Sequence, residues 1–582
     1  MPVDNMNIKH TLKEITPPFI WRWMRNKIIK KKQIEKKYDP RRWWYGEDLL
    51  GDNSRFREIF DFDNFQSSIC MLNNEIRDCI EIEPHKSLKL FFLNFDESKN
   101  VLFSFGNKSH ERSINGNYEV FFDKQKKIEI KSPLSGRWNN SHLKAGSKFK
   151  ELQINNNTDH KLYFACPIFL KKYEHSNKKE VKNILLIVLD QLDYNALNEL
   201  EKNPNDLKFI NNFFSDEINY ENCFSAAEWT LPCFSSIFSG KHPSVHGNFD
   251  LKVSQKIKNI ITDDNMINFL RDEGFSTFGI SKSKGHHAGY NFQKDFDRLL
   301  YYDDALDTTV EDDYSFGKKA IEQLEMNREG KNFIYLHYMS SHAPYWKPGI
   351  NEEVKLDLYR YGDPLKEYND AIKDYGDSKV EPIMNSEKVK PIIKRQKERI
   401  KSLDLVLGQL FSYIEKTDIK KNSLVIFTAD HGPNHFGQPD QPMMNRPRLN
   451  VPLKIYDFNN VGKKNIKDYV CQTDIFPLIK SFFKKENIKD IIPPYGESLL
   501  PVISESIFND KYKVSIRTKN HTFYYTCKFD PKNFNIMINE VFDNRMENKE
   551  KTTSEDEAQL KIHYFDILEK HLEKSEIIKI VR

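Results

Sequence analysis

The sequence predicts an α/β fold whose mostly parallel sheet is sandwiched by helices, with a β-sandwich-like domain before it. From residue 183 to about 505, apolar strand-like runs alternate with charged helical stretches, a pattern typical of a sheet covered on both faces. The clearest run, NILLIVLD, ends at Asp190, and a later run, SLVIFTAD, ends at Asp430. The ligand crevice of such a sheet lies beyond the carboxyl ends of its strands. Both carboxylates are therefore candidates for chemistry.

The composition indicates a folded protein of several domains. A chain of 582 residues exceeds one small core, so two or three domains are expected. Apolar residues make up 38% of the chain, which excludes a disordered protein. The 89 basic and 85 acidic residues nearly balance. No nucleic-acid partner is predicted, because that binding needs a concentrated basic face.

Changes in sequence pattern divide the chain into four parts. Between 75 and 170, short strand-like runs are separated by Asn, Gly, Ser and Asp turns, which is typical of a β-sandwich. The predicted parts are a helical or irregular segment (1–74), a β-sandwich-like accessory domain (75–175), an α/β domain (182–508) and a C-terminal subdomain (509–582).

Cysteine usage and the N-terminus predict a cytoplasmic location. The seven cysteines are scattered and form no CxxC pair, which favours a reducing compartment. The N-terminus lacks the apolar core of a signal peptide, and no run approaches the ~20 apolar residues that span a bilayer. Residues 15–37 interleave aromatic side chains with Arg and Lys. Such a segment predicts peripheral contact with the inner membrane surface; the alternative is a helix docked on the protein body.

The two strand ends together predict a metal site. His431 follows Asp430, so two carboxylates and an imidazole are expected at one sheet edge. Oxygen and imidazole donors together suit a divalent metal ion. The alternative for either aspartate alone is to cap the following helix.

Thr230 is a candidate nucleophile. It precedes Pro232 and an apolar, serine-rich stretch that predicts a helix. A helix N-terminus stabilises an anion, and a metal at the Thr230 oxygen would make its alkoxide accessible. The alternative is an ordinary N-cap, a frequent role of threonine.

Seven segments occur in the order found in one family. They are Asp190-Gln191, WTLPCFSSIFSGKHPSVHG (229–247), LHYMSSHAPYW (336–346), TADHG (428–432), NVPLKIYD (450–457), QTDIFPLI (472–479) and GESLLPVI (496–503), followed by the strand pair IRTKNHTFYY (516–525). In this order the chain resembles the sulfatase branch of the alkaline phosphatase superfamily, over roughly residues 182–565. The resemblance implies that 182–508 is a sulfatase-like catalytic domain.

The resemblance also implies roles for individual residues. The family's metal ligands correspond to Asp190, Gln191, Asp430 and His431, and its covalent nucleophile to Thr230, whose oxygen also meets the metal. The histidine that contacts the ester corresponds to His342. A further Lys/His pair corresponds to Lys282 or Lys284 with His286, and the site residues predicted from this pair are Lys284 and His286. His435 is either close to the site or an ordinary loop histidine.

Two departures from the family pattern favour phosphoryl transfer. Sulfatases of this family begin from Cys or Ser in C/S-x-P-x-R, whereas this chain has Thr230 and Phe234 at the first and last positions. Because the β-carbon of threonine has a methyl group, it cannot become the formylglycine aldehyde. A direct threonine nucleophile resembles the phosphoethanolamine and phosphoglycerol transferases. Gln191 replaces the second Asp of calcium sulfatases, and this lost carboxylate together with the nitrogen of His431 favours Mn²⁺ or Zn²⁺ over the alternative, Ca²⁺. The Asp-Gln pair also resembles phosphonate monoester hydrolases and choline sulfatases, so by itself it leaves phosphate and sulfate both open.

The sequence therefore predicts a metal-dependent hydrolase or transferase that acts on a phosphate ester through Thr230, with surface-glycan modification as a setting. The expected substrate is a phosphate or sulfate ester, for instance on a glycan or glycolipid. The alternatives are a sulfatase that works without formylglycine and a non-catalytic, glycan-binding homologue. The sequence makes no prediction of the oligomeric state.

Overall fold

A computed structural model gives the fold of the chain. The structure describes residues 54–61, 67–72, 75–93, 100–109, 114–124, 126–131, 133–134, 136–144, 148–170, 180–215, 218–249, 264–282, 295–302, 310–342, 390–433, 444–458, 464–484, 501–508, 510–548 and 553–581. The predicted membrane-contact segment 15–37 lies outside these ranges. None of the helices in these ranges combines the length and apolar composition that a bilayer crossing requires.

The N-terminal part is a two-sheet β structure, as predicted. It contains helix α1 (Ser54–Ile59) and strands β1 (Phe60–Asp61), β2 (Ser68–Leu72), β3 (Glu75–Ile82), β4 (Ser87–Phe92), β5 (Asn100–Gly106), β6 (Asn117–Phe122), β7 (Lys126–Lys131), β8 (Asn139–Leu143), β9 (Glu151–Asn156), β10 (Leu162–Ala165) and β11 (Ile168–Leu170). One sheet has the order β1-β4-β9-β6-β7. Its inner side chains, such as Leu90 and Val120, share a core with Phe103 and Phe164 of the facing sheet. The segment predicted to be helical or irregular contains the strands β1 and β2. Its apolar run SICML forms strand β2 because it pairs with β3.

The α/β part contains the predicted buried sheet. Its strands are β12 (Asn183–Leu189), β13 (Ile218–Phe224), β14 (Phe275–Lys282), β15 (Arg298–Tyr302), β16 (Lys331–Tyr338), β17 (Ser423–Ala429), β18 (Asn450–Asp457) and β19 (Lys464–Cys471). Its helices are α2 (Tyr194–Glu201), α3 (Lys208–Phe213), α4 (Thr230–Ser239), α5 (Pro243–His246), α6 (Met266–Asp272), α7 (Val310–Met326), α8 (Lys390–Lys416), α9 (Arg446–Leu449) and α10 (Ile475–Lys484). Two 3₁₀ turns span Asp418–Asn422 and Gln472–Asp474.

The central sheet is mostly parallel. Strands β15, β14, β16, β12 and β17 follow one another in parallel, and β18 then pairs antiparallel with both β17 and β13. All seven residues of β12 are buried. Successive side chains of a strand point to opposite faces, so both faces of this sheet are covered.

The C-terminal part is a separate sheet with one long helix. It contains β20 (Val502–Phe508), β21 (Lys511–Arg517), β22 (His521–Asp530), β23 (Asn535–Asn548), α11 (Ser554–Leu572) and β24 (Lys579–Val581). The strands are adjacent in chain order. Tyr564 and Leu568 of α11 pack on Val514 and Phe523 of this sheet.

The N-terminal β structure and the catalytic sheet are hydrogen-bonded to each other. Strand β3 pairs antiparallel with β15, with Glu75 opposite Leu300. The Glu75 carboxylate accepts hydrogen bonds from Arg77 Nε at 2.7 Å and Arg298 Nε at 2.8 Å. Burial alone would raise the pKa of Glu75, but the two guanidinium groups lower it to about 2. This ion cluster fixes the junction between the two parts.

Replacing Glu75 with Ala is expected to destabilise the protein by about 3 kcal/mol, because the buried guanidinium of Arg77 and the half-buried one of Arg298 lose their counter-charge. Thermal unfolding followed by circular dichroism measures the effect. Glu81→Ala is a matched control on the same strand, since Glu81 pairs with Lys161 where both side chains are more than a third exposed. That exposed pair is expected to contribute at most about 1 kcal/mol.

The same carboxylate predicts a pH dependence. Its pKa is depressed in the folded state, so its contribution is fully present above the ordinary pKa of 4.5 and is lost as the pH falls towards about 2. The stability difference between wild type and Glu75→Ala should therefore shrink over this acid range. An unchanged difference would contradict the assigned ion cluster.

Candidate active site

Asp190 and Asp430 lie side by side at the carboxyl ends of neighbouring strands. The parallel register places Leu189 of β12 beside Ala429 of β17, so the next residue of each strand is an aspartate. The backbone N–H of Asp430 donates to the Leu189 carbonyl at 3.3 Å. Both side chains are at most 1% exposed. The structure thus brings together the two carboxylates that the sequence pattern placed at one sheet edge.

The helix that follows Asp190 is capped by a different aspartate, so Asp190 is free to belong to the site. Asp193, rather than Asp190, is the N-cap of α2, and its carboxylate accepts from Ala196 N at 3.0 Å. Gln191, between them, has a φ of 58°, in the left-handed region that is costly for a non-glycine residue. This turn lets the backbone N–H of Gln191 donate to Asp430 Oδ1 at 3.1 Å.

The His431 imidazole presents a lone pair to both carboxylates. Its Nδ1 lies 2.8 Å from the Gly432 carbonyl, which can only accept, so Nδ1 holds the proton and Nε2 is unprotonated. Nε2 is 3.3 Å from Asp430 Oδ2 and 3.9 Å from Asp190 Oδ1. Burial and the nearby Arg448 lower the pKa of His431 well below its usual range, so this ring is neutral.

Thr230 is the first residue of α4, and its hydroxyl points into the cluster. Trp229 occupies the N-cap position without a side-chain cap. Thr230 Oγ1 lies 3.4 Å from both Asp190 Oδ2 and His431 Nε2. Thr230 is therefore not the N-cap of this helix, which was the alternative interpretation.

The donor set fits a divalent cation. Oxygen or nitrogen atoms of Asp190, Asp430 and His431 all lie within 4.8 Å of one another. Asp190 Oδ1 and Asp430 Oδ2 are buried and accept no hydrogen bond from the described residues. Burial, followed by the charge of Asp190, raises the pKa of Asp430 well above its usual range. Ligands about 2.1 Å from a shared ion lie roughly 3.0–3.4 Å apart, which the 3.3 Å separation of His431 and Asp430 matches. A metal ion would thus satisfy atoms that otherwise repel.

Of the other predicted site residues, the structure describes His342 but not Lys284, His286 or His435. His342 follows β16 and donates its backbone N–H to the Met339 carbonyl at 2.9 Å. Burial raises the pKa of Asp190, but His342, followed by His337 and His431, holds it below its usual range. Lys284, His286 and His435 lie outside the described residues. Their roles, like that of the Gln191 side chain, stay predictions.

Three residues that support the site were not singled out from the sequence. His337 of β16 is fully buried, with Nε2 3.4 Å from Asp190 Oδ2. Arg448 Nη1 donates to the Gly432 carbonyl at 2.5 Å. Gln472 Nε2 donates to the carbonyls of Ala429 and Asp430 at 2.6 and 2.7 Å. The available signals were a histidine inside an apolar strand and the polar residue that opens QTDIFPLI.

At the ends of parallel strands, a buried cluster of two carboxylates and an imidazole faces a threonine at a helix N-terminus, and this cluster could hold a divalent metal ion. The sulfatase family model matches residues 182–483, more than half of the chain. The protein therefore belongs to the sulfatase family, within the alkaline phosphatase superfamily. No curated protein matches the sequence significantly.

Several solved structures resemble the fold at low identity. The phosphonate monoester hydrolase of Agrobacterium radiobacter is 13% identical, with a TM-score of 0.48 over 67% of this chain and 95% of that chain. The phosphonate monoester hydrolase of Silicibacter pomeroyi is 13% identical, with a TM-score of 0.47 over 67% and 96%. A protein solved with its substrate D-glucosamine-2-N,6-O-disulfate is 14% identical, with a TM-score of 0.48 over 68% and 99%.

Replacing Asp430 with Asn should remove metal-dependent stabilisation without unfolding the protein. Asn keeps the oxygen that accepts from Gln191 and His431, and loses the buried charge. The metal-free variant is expected to be at least as stable as metal-free wild type, whereas only wild type should gain about 2.7 kcal/mol at a manganese concentration 100 times its Kd. Thermal shift assays over a MnCl₂ series measure both effects.

Asp193→Asn is the matched control for this substitution. It also converts a buried aspartate to its amide, and Asn is an equally good N-cap. This control should keep the full manganese response. An equal response in Asp430→Asn would remove Asp430 from the metal site.

Proposed function

We propose that this sulfatase-family hydrolase acts on phosphate esters as a phosphodiesterase or phosphoethanolamine- or phosphoglycerol-type transferase, with Thr230 as the covalent nucleophile. The observation that supports this proposal is the Thr230 hydroxyl, 3.4 Å from both Asp190 and His431. Threonine cannot form the aldehyde on which family sulfatases depend. A direct hydroxyl nucleophile is the remaining use of this position.

Asp190, Asp430 and His431, with Gln191, would hold the divalent ion, of which Mn²⁺ or Zn²⁺ suits this mixed donor set better than Ca²⁺. When bound, the ion supplies positive charge that favours the alkoxide form of a hydroxyl and polarises an ester oxygen. The position of Thr230 at the start of the ten-residue helix α4 adds the positive end of the helix dipole. Both influences favour negative charge on Oγ1.

The reaction has two balanced halves. Thr230 Oγ1 releases its proton to solvent and attacks phosphorus, so that an Oγ–P bond forms while the bond to the leaving alkoxide breaks. The leaving oxygen takes a proton, for which His342 is the described candidate donor. The oxygen of water or of an acceptor alcohol then bonds to phosphorus as the Oγ–P bond breaks, and the proton that this oxygen loses returns to Thr230 Oγ1.

A glycan or glycolipid phosphate ester is the substrate that this proposal favours, and it rests on family analogy. Contact of residues 15–37 with the inner membrane surface would bring a cytoplasmic enzyme to a lipid-linked substrate. Co-sedimentation with anionic vesicles, compared between full-length protein and a variant with neutral residues at the Lys and Arg positions of 15–37, tests that part separately.

Replacing Thr230 with Val should lower turnover by on the order of 10³-fold or more while leaving the unfolding temperature unchanged, because valine keeps the shape and β-branching but lacks the hydroxyl. Thr230→Ser should keep measurable activity, because it keeps the nucleophile. Intact-protein mass spectrometry after incubation with phospholipid or nucleotide-activated donors should show a mass increment on Thr230 or Ser, and none in Thr230→Val. Full activity in Thr230→Val would exclude the nucleophile role.

The preference for phosphorus over sulfur can be measured directly. Wild type is expected to hydrolyse an aryl phosphodiester with a higher kcat/KM than an aryl phosphate monoester or an aryl sulfate, and Thr230→Val should lose all three. A highest kcat/KM for the aryl sulfate would support the rival proposal, a sulfatase without formylglycine. Absence of any turnover, of bound metal and of a mass increment would support a non-catalytic homologue.

A further inference from the structure

A second cluster of metal-ligating side chains lies where the catalytic part meets the C-terminal sheet. His242 precedes the short helix α5, Glu505 lies in β20, and His571 is near the end of α11. One nitrogen or oxygen atom from each residue lies within 4.8 Å of the others. None of these residues belongs to the Asp190–Asp430–His431 site.

The three side chains are close together, with Glu505 and His571 buried and His242 half-buried. His571 Nε2 is 3.2 Å from Glu505 Oε2, a ligand–ligand distance within the roughly 3.0–3.4 Å expected around a shared zinc ion. The rings of His242 and His571 are 4.8 Å apart between centroids, with an interplanar angle of 86°. Glu505 is 0% exposed and His571 is 5% exposed.

Neighbouring groups hold the Glu505 carboxylate in position. The backbone N–H of Ser244 donates to Oε1 at 2.5 Å, and the Tyr512 hydroxyl donates to Oε2 at 2.6 Å. Carboxylates that bind metals are typically oriented by such outer hydrogen bonds. The Ser244 hydroxyl lies 3.4 Å from His571 Nε2, so the second ligand also has a polar neighbour.

The contact between His571 and Glu505 accounts for only part of the cluster. His242 Nδ1 is buried and has no hydrogen-bond partner among the described residues. A buried imidazole nitrogen without a hydrogen-bond partner in that part of the chain, beside a carboxylate and a second imidazole, is explained by a shared cation.

We propose that His242, Glu505 and His571 bind one zinc ion, with the fourth position open to water. Two imidazoles and a carboxylate are donors that zinc accepts readily. The ion would join α11 of the C-terminal part to the segment after α4. Glu505 also donates its backbone N–H to the Ala226 carbonyl at 2.8 Å, four residues before Thr230. The site would therefore brace the region that presents the nucleophile, and its existence does not depend on the proposed reaction.

The test uses full-length protein in which Asp190→Asn and Asp430→Asn remove the charges of the first site. After chelator treatment and gel filtration, this variant is titrated with ZnCl₂ alone, and bound zinc is measured by elemental mass spectrometry and by titration calorimetry. One zinc ion per chain is expected. Adding His242→Ala should weaken zinc binding at least tenfold, whereas His563→Ala, at an exposed position of α11, should leave it unchanged.

Two results would overturn the proposal. One is that the Asp190→Asn/Asp430→Asn protein binds no zinc, and the other is that adding His242→Ala leaves its zinc affinity unchanged. Circular dichroism establishes whether His242→Ala folds. If it does not, X-ray absorption at the zinc edge of the Asp190→Asn/Asp430→Asn protein decides: imidazole nitrogen scattering supports the site, and oxygen scattering alone contradicts it.

Discussion

The structure depends on holding two carboxylates together in a dry interior. Asp190 and Asp430 are adjacent because the parallel register pairs Leu189 with Ala429, and a one-residue slip would turn one of them to the other face of the sheet. Two like charges without solvent are costly unless a cation compensates them. Gln472 resists relaxation of the strand end, because its amide donates to the Ala429 and Asp430 carbonyls and accepts from Ala226 N. The protein thus keeps two buried carboxylates in contact, and a bound metal ion would offset their mutual repulsion.

The central features of the site could be predicted from sequence because burial in a parallel sheet requires an unbroken apolar run. A carboxylate at the end of such a run, as at Asp190 and Asp430, is a conspicuous change in polarity. Thr230 was harder to interpret, since nucleophile and N-cap both occur where a helix begins. The difference between them is a single position: Trp229 takes the cap, and this shifts the threonine into the first helical turn, facing the cluster.

Features that depend on distant pairing had no local signal. The N-terminal β structure extends the catalytic sheet through Glu75 and Arg298, which are 223 residues apart, and neither short strand has a pattern that specifies its partner. The antiparallel direction of β18 likewise follows from its neighbours, not from its apolar sequence. His337 is one polar residue in an apolar strand, a pattern shared by histidines that merely satisfy a core hydrogen bond. Only the contact with Asp190 distinguishes it.

Helix α4 connects the two clusters, so an ion bound at the second cluster would help to hold Thr230 in position at the first. Its ten residues span about 15 Å, from Thr230 at the first site to Gly240, whose φ of 67° ends the helix two residues before His242. All ten residues are buried, so the helix cannot shift without disturbing the core. An alkoxide nucleophile loses much of its reactivity when misplaced by about 1 Å. A zinc ion at the far end would restrict movement of the helix, and with it the position of Thr230 relative to Asp190 and His431. A chelator would empty both sites at once, and loss of activity on chelation would then combine lost chemistry with lost alignment of Thr230.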